Sequence, residues 1–398
     1  MVAGTGSPAM KTSEKSGNFR TWVEWRARRI DDPLGRLRYL RSVRPAKLRP
    51  AGGRRVRSLR AGAAVGLAAV VTVTCLVVRA KVRVEPLPAR THKVQAPLLW
   101  SEGLPEVWLV EKAGGLETYS NGLRIDGRVA ISTHPRSYRV FPVDRPGAGD
   151  GAHRTEPAGI VFHTTESHQA PFEADQNRVL KQVGESILEY VRRHRAYNFL
   201  IDRFGRVFRI VEEDHAAEHA GYSVWADDQW LYVNLNESFL GVSFEAKTEP
   251  GQEEPMVSPG QVRAAAMLTE MLRSRYGIRG INCVTHAQVS VNPSNMRVGW
   301  HTDWASSFPF EKLGLPNNYA QALPAMTFFG FDYDSTFVRL AGSRLYAAVE
   351  LAEERLREEA AERGLGIETY RRSLQRLYRE TIGRFQRPET PEGGEPVE

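Results

Sequence analysis

The stretch "AGIVFHTTES", residues 158–167, decides how the chain is read. Ala158 to Phe162 is an apolar run with the length of a short buried strand, and it delivers His163, Thr164, Thr165 and Glu166 at its end. Around it, strand and helix patterns alternate. Gln176–His194 carries Val179, Val183, Ile187, Leu188 and Val191 at helical spacing, and "YNFLIDRFGRVFRIV" reads as a hairpin turning at Asp202 to Gly205. Phe239–Ala246 is another strand. "SPGQVRAAAMLTEMLRSRYG" has Ser258 at an N-cap, Pro259 at N1 and Gly277 just past the end, so it predicts a helix. "INCVTH" is a further short strand ending in His286. The predicted fold class is α/β, with a mixed central sheet flanked by helices over residues 156–316.

The flanks read differently. Residues 99–155 hold Gly114-Gly115, Asn121-Gly122 and Asp126-Gly127 between apolar-alternating pieces, which predicts a small β region, either a separate module or an edge addition. Residues 317–388 predict a helical hairpin. One stripe is Val338, Ala341, Leu345, Ala348 and Ala352; the second is Tyr370, Leu374, Leu377, Tyr378 and Phe385, after a break at 364–366. This hairpin is expected to pack on the body or on a protein partner. Residues 389–398 read as a disordered acidic tail.

Charge is unevenly shared. Residues 1–60 hold sixteen Lys and Arg against Glu14, Glu24, Asp31 and Asp32, a sum of +12, so the formal net charge of +7 leaves −5 for the rest. A slightly acidic main body argues against nucleic acid as a partner. Residues 61–78 are uncharged and apolar, bounded by Arg54, Arg55, Arg57 and Arg60 on one side and Arg79, Lys81 and Arg83 on the other. A transmembrane helix is therefore expected over 61–79. The basic excess before it puts residues 1–60 in the cytoplasm and everything past the 80–98 linker outside the inner membrane. Trp22, Trp25, Leu34, Leu37 and Leu40 among the arginines suit either an anionic leaflet or a solvated tail. Of the two cysteines, Cys75 lies in the apolar run and Cys283 alternates away from His286, so neither a disulfide nor a cysteine nucleophile is expected.

Candidate chemistry gathers at strand ends. Zinc hydrolases use three His or carboxylate ligands and an open fourth position. His163, His286 and one of His301 or Asp303, from "GWHTDW", would supply such a set. The plainer alternative is that these are hydrogen-bonded surface residues.

Residues 156–316 resemble the zinc-dependent N-acetylmuramoyl-L-alanine amidases, a group that includes phage lysozyme-type amidases and peptidoglycan recognition proteins. The blocks that carry the resemblance are "IVFHTTES", "YNFLIDRFGRVFRIVEEDHAAEHAG", "LGVSFEAK", "INCVTHAQVS" and "HTDWASSFPFEKLGL", in the family's order. The resemblance implies zinc as cofactor, with His163, His286 and Asp303 as ligands. It further implies Glu245 as acid/base group, Tyr197 as a hydroxyl near the substrate carbonyl, and His219, Thr164 and Asn198 as substrate contacts. Three departures stand out: His301 takes the place of a family Lys, Trp304-Ala305 replaces Pro-Gly, and Asn198 replaces a His. A protonated His301 would stabilise an oxyanion, and His301 also competes with Asp303 as third ligand. The implied function is hydrolysis of the amide between N-acetylmuramic acid and L-alanine in peptidoglycan, outside the cytoplasm. Two rivals are a peptidoglycan-binding receptor using the same groove without catalysis, and a membrane-anchored structural protein whose C-terminal helices recruit a partner.

Overall fold

The computed structural model describes residues 104–383, apart from 148, 150 and 250. The expected basic tail 1–60, span 61–79, linker 80–98 and tail 389–398, and Phe385, lie outside the described residues. Among the described residues no helix is long and apolar enough to cross a membrane.

The chain opens with a meander of β1 (Leu109–Ala113), β2 (Leu116–Tyr119) and β3 (Arg124–Asp126), then the hairpin β4 (Tyr138–Pro142) and β5 (Ala152–Arg154). Next come β6 (Gly159–Thr164), α1 (Asn177–Arg193), β7 (Phe199–Ile201) and β8 (Val207–Arg209). They are followed by β9 (Trp225–Ala226), β10 (Trp230–Tyr232), the single-turn α2 (Leu235–Ser238) and β11 (Phe239–Phe244). The last third holds α3 (Pro259–Tyr276), β12 (Cys283–Thr285), the short α4 (His286–Val289), β13 (Val291–Asn292), β14 (Arg297–Val298), α5 (Pro324–Phe329), α6 (Ser335–Glu362) and α7 (Ile367–Leu377).

Among the described residues, the largest sheet has eight strands in the order β1-β2-β3-β8-β7-β11-β6-β12. Its centre is parallel: β11 runs alongside both β6 and β7, and β12 alongside β6. The β7–β8 hairpin is antiparallel, which makes the sheet mixed. Every residue of β6 and β11 is buried, as expected for strands covered on both faces. One face presents Ile160, Phe162, Phe199, Ile201, Val242 and Phe244 to α3 and the C-terminal helices. Alternation then sends Val161 and His163 to the opposite face. There Val161 and Val284 meet the second sheet, β5-β4-β10-β9, while Leu200 and Phe208 meet α1. The gap between those two coverings opens at the carboxyl ends of β6, β11 and β12, where open α/β sheets bind ligands.

The described part of 104–155 is shared between the two sheets and forms no module of its own. β3 pairs with β8 through Ile125 and Val207, extending the main sheet, whereas β4 and β5 join β9 and β10 in the second sheet. Leu123 and Ile125 are fully buried in the main core, so the segment is divided between the layers rather than set apart.

Helix α3 begins as its sequence implies, with Ser258 and Gln261 capping each other and Gly277 left-handed at its end. His286 does not end a strand: it is the first residue of α4, whose Thr285–Gln288 capping box turns the chain sharply after β12. The C-terminal hairpin is present as α6 and α7, packed on α5 through buried Leu345, Ala348, Val349, Tyr370 and Leu374. Helix α6 is broken at Gly342 (φ 72°, ψ 176°).

Candidate active site

His163 leaves β6 on the open face, fully buried. Its Nδ1 lies 3.0 Å from Asp303 Oδ2, and His286 Nδ1 lies 2.9 Å from Asp303 Oδ1. The donor atoms of His163, His286 and Asp303 all lie within 4.8 Å of one another, and all three residues are buried. A tetrahedral zinc with N and O ligands has donor–donor edges of roughly 3.3–3.5 Å, so a small closure around an ion suits the set. His301 does not join this group. Its ring stacks on His286 at 4.7 Å, and its backbone is fixed by a hydrogen bond from its N–H to Ser290 Oγ.

The hydrogen-bond chain behind His163 tests whether a cation fits. His219 Nε2 lies 3.2 Å from the Phe239 carbonyl, which only accepts, so that nitrogen carries the proton. Burial, then the charge of His163, push His219 well below its ordinary pKa, leaving it neutral with Nδ1 as an acceptor. His163 Nε2, 3.1 Å away, therefore donates to it. In neutral His163 the lone pair then falls on Nδ1 and faces the Asp303 carboxylate across 3.0 Å. Two acceptors at that distance need a proton or a cation between them. Burial, and next the charge of His286, lower His163 to a pKa of about 4, which disfavours the proton. Burial alone would raise Asp303, but the neighbouring imidazoles, the charge of His286 foremost, outweigh it and hold the carboxyl well below its usual range. A proton-free imidazole beside an ionised carboxylate is the state a divalent metal selects.

Around this cluster stand two hydroxyls. The Tyr197 ring is 4.9 Å from that of His163, and the residue is held at φ 63°, in the left-handed region. Burial foremost, then the Asp303 charge, raise its pKa, so the phenol stays protonated. Ser243 pairs with His163 in the parallel β11–β6 ladder and therefore shares its face. Its buried Oγ lies against the Tyr197 phenol. The sequence reading missed Ser243; its register beside His163 is what identifies it.

Four expected roles change. Glu245 is buried, but its Oε2 accepts from the Arg203 N–H at 3.1 Å, on the β7 side of β11 and beneath Gly184 of α1. The cluster lies on the β6–β12 side, and the charges that act on Glu245 are those of Asp202, Arg203 and Arg206. It does not stand beside the cluster as a proton shuttle. Thr164 alternates to the other face from His163; its hydroxyl donates to Glu166 and meets Thr248 Oγ1 at 3.2 Å. Asn198 is fully buried: its Oδ1 accepts from the Gly241 N–H, and its amide donates to the Glu212 and His215 carbonyls, which leaves it for the fold and not for substrate. His219, partly exposed, orients His163 from behind, a positioning role beside the substrate contact expected for it. His301 changes state too. Burial and the charge of His286 lower it to about 4, so at neutral pH it is an uncharged imidazole.

Cys283 is a buried free thiol whose pKa burial pushes up to about 12, which rules it out as a nucleophile. A cavity of about 450 Å³ runs between α1 and residues 165–168, walled by Val179, Val183, Ile187 and Tyr190 and reaching Tyr197. At the other rim Trp300 is 61% exposed beside His301.

No curated protein sequence matches the chain. Among solved structures it is similar to AmpDh3 from Pseudomonas aeruginosa in complex with an anhydromuramic pentapeptide (21% identity, 39% of this chain and 58% of that one, TM-score 0.28). It is also similar to the N-acetylmuramyl-L-alanine amidase AmiD from E. coli (21% identity, 44% and 62%, TM-score 0.29) and to Drosophila peptidoglycan recognition protein SD (15% identity, 41% and 85%, TM-score 0.25). The chain thus spans less than two thirds of AmpDh3 and of AmiD. Residues 153–303 match the family model of N-acetylmuramoyl-L-alanine amidase, a stretch that begins before β6 and ends on Asp303. That segment, with the His163–His286–Asp303 cluster inside it, is the part of the chain that carries the likeness to the N-acetylmuramoyl-L-alanine amidase family.

Proposed function

We propose that the chain is a zinc-dependent hydrolase of the amide bond joining N-acetylmuramic acid to L-alanine in peptidoglycan, held at the membrane by residues 61–79 with its folded part outside the cytoplasm. The observation that carries the reading is the convergence of two buried imidazoles and one carboxylate, His163, His286 and Asp303, within the family-matched segment. The location rests on the apolar run and on the basic excess before it.

His163, His286 and Asp303 would hold the ion, with His219 fixing the tautomer of His163. The chemistry zinc supplies when bound by such a set is a lowered pKa for water and polarisation of a carbonyl oxygen. Tyr197, kept protonated, donates a hydrogen bond to the scissile carbonyl oxygen as charge develops on it. His301, uncharged and stacked on His286, takes the proton from the attacking water and returns it to the departing amine of L-alanine. Ser243 sets its buried hydroxyl beside that of Tyr197 in the same pocket. The cavity under α1 suits the peptide stem, since its walls are apolar and its volume lies in the range of small-ligand sites. The exposed Trp300 indole offers a flat apolar plate to a sugar ring.

The test is release of free stem peptides from purified wall material by the zinc-loaded protein, compared with Asp303→Ala. A second reading, a non-catalytic wall receptor, is favoured by one observation: Glu245 is engaged by the Arg203 N–H on the β7 side of β11, which leaves Asp303 as the carboxylate of the cluster. Binding to wall material without release, in protein carrying one zinc per chain, would decide for the receptor.

A further inference from the structure

We infer that the break in α6 at Gly342 latches the loop carrying Asp303, which makes Ser306 a positioning residue for the third metal ligand. The inference rests on the metal site proposed above, and it concerns helices that lie beyond residue 303, where the family match ends.

The loop after Asp303 is unfavourable on its own. Trp304 (φ 71°) and Ala305 (φ 39°) both occupy left-handed backbone, which residues with a β-carbon adopt only where their surroundings enforce it. Two anchors do so. On the sheet side, the Trp304 N–H donates to Thr248 Oγ1 at 2.8 Å, and its ring packs edge-on against Phe244 and Phe308, each at 5.0 Å. On the helix side stands Ser306, fully buried. Its Oγ donates to the Ala341 carbonyl at 2.6 Å and accepts from the Leu345 N–H at 2.8 Å.

Those two partners are the groups that a helix break leaves without intrahelical bonds. One serine hydroxyl, used as donor and acceptor at once, therefore caps both halves of α6. Gly342 makes room for it. Its φ of 72° and ψ of 176° fall in a region essentially reserved for glycine, and a β-carbon there would lie 2.8 Å from both Cβ and Oγ of Ser306. Glu253 adds a tie by accepting from the Ser343 N–H at 2.8 Å. The fixed helix break and the ligand are three residues apart through Ser306, so α6 sets where the Asp303 carboxylate points.

The experiment is zinc affinity of the full chain, measured by competition with a chromophoric chelator at fixed pH, with the visible spectrum of the cobalt-loaded protein as a readout of ligand geometry. Ser306→Ala and Gly342→Ala are expected to weaken zinc binding about 10- to 100-fold and to alter the cobalt spectrum, the size of effect typical of losing support behind a ligand. Ser373→Ala is the control. It removes a hydroxyl that donates to the Tyr370 carbonyl in α7, and its zinc affinity and cobalt spectrum should match the wild type. Wild-type zinc affinity and spectrum in folded Ser306→Ala would overturn the latch. If Ser306→Ala does not fold, Glu253→Ala loosens the same break from outside, and wild-type behaviour there overturns it equally. A wild-type chain that binds no zinc, or an Asp303→Ala variant that binds as wild type, would instead overturn the metal site itself.

Discussion

Replacing Glu245 by Gln separates a buried structural carboxyl from a catalytic base. In the fold, burial raises its pKa from 4.5 to about 7, against the smaller lowering effect of the Arg203 backbone donor. A carboxyl whose folded pKa exceeds its unfolded one binds a proton in the folded chain that the unfolded chain releases. Between pH 4.5 and about 7 the folded state therefore holds the extra proton, and stability falls as pH rises through that window. The difference of about 2.5 units corresponds to at most ~3.4 kcal/mol lost above pH 7, at 1.36 kcal/mol per unit. Glutamine keeps an oxygen that can accept from the Arg203 N–H and carries no charge to desolvate. Urea unfolding of both proteins from pH 5 to 8.5, with chelator present so that metal does not contribute, should show similar stability at pH 5. At pH 8 the variant should be more stable by about 2–3 kcal/mol. Because both share every other titrating group, the difference between the curves isolates position 245. Wall hydrolysis by the zinc-loaded variant should stay within a few-fold of wild type. A variant that folds and binds zinc but loses turnover by more than about 100-fold would make Glu245 the base after all and refute the placement argument.

The same geometry makes further predictions. His219→Ala leaves His163 Nε2–H without its acceptor, so zinc affinity should fall about 10- to 100-fold by chelator competition. Gly241→Ala should do the same with the imidazole retained, since its β-carbon would lie 2.7 Å from the His219 ring; affinity at the wild-type level in both would discard the tautomer chain. Tyr197→Phe should lower kcat for stem-peptide release by about 100-fold with zinc content unchanged, and equal rates would remove the phenol from the reaction. Trp300→Ala should raise KM for intact glycan strands and leave zinc affinity alone; an unchanged KM would take the indole out of the substrate path.

What the sequence disclosed follows from which signals are local. The turn at Asp202–Gly205 and the ends of α3 were legible because turn and capping residues sit next to the elements they bound. The residues of the His163–His286–Asp303 cluster were legible because the blocks that carry them keep one order, although His286 needed the Thr285–Gln288 cap to bring it round after β12. Glu245 was misread for a specific reason. In "LGVSFE" strand alternation puts Ser243 and Glu245 on one face, so periodicity cannot choose between them. The choice is made by ladder register, which pairs Ser243 with His163 and carries Glu245 one step past the end of β6. Thr164 and Asn198 failed for a related reason, since their hydrogen-bond partners Thr248, Glu212 and His215 come from loops that no local pattern brings near. The α6 break is the extreme case. The stripe Val338, Ala341, Leu345, Ala348 and Ala352 continues through position 342 as if the helix were whole, and a positive φ leaves no mark on hydrophobic spacing. What identifies Gly342 is a serine 36 positions earlier that fills the space its missing β-carbon leaves, so the interruption becomes visible only when the ligand loop and the helix are seen together.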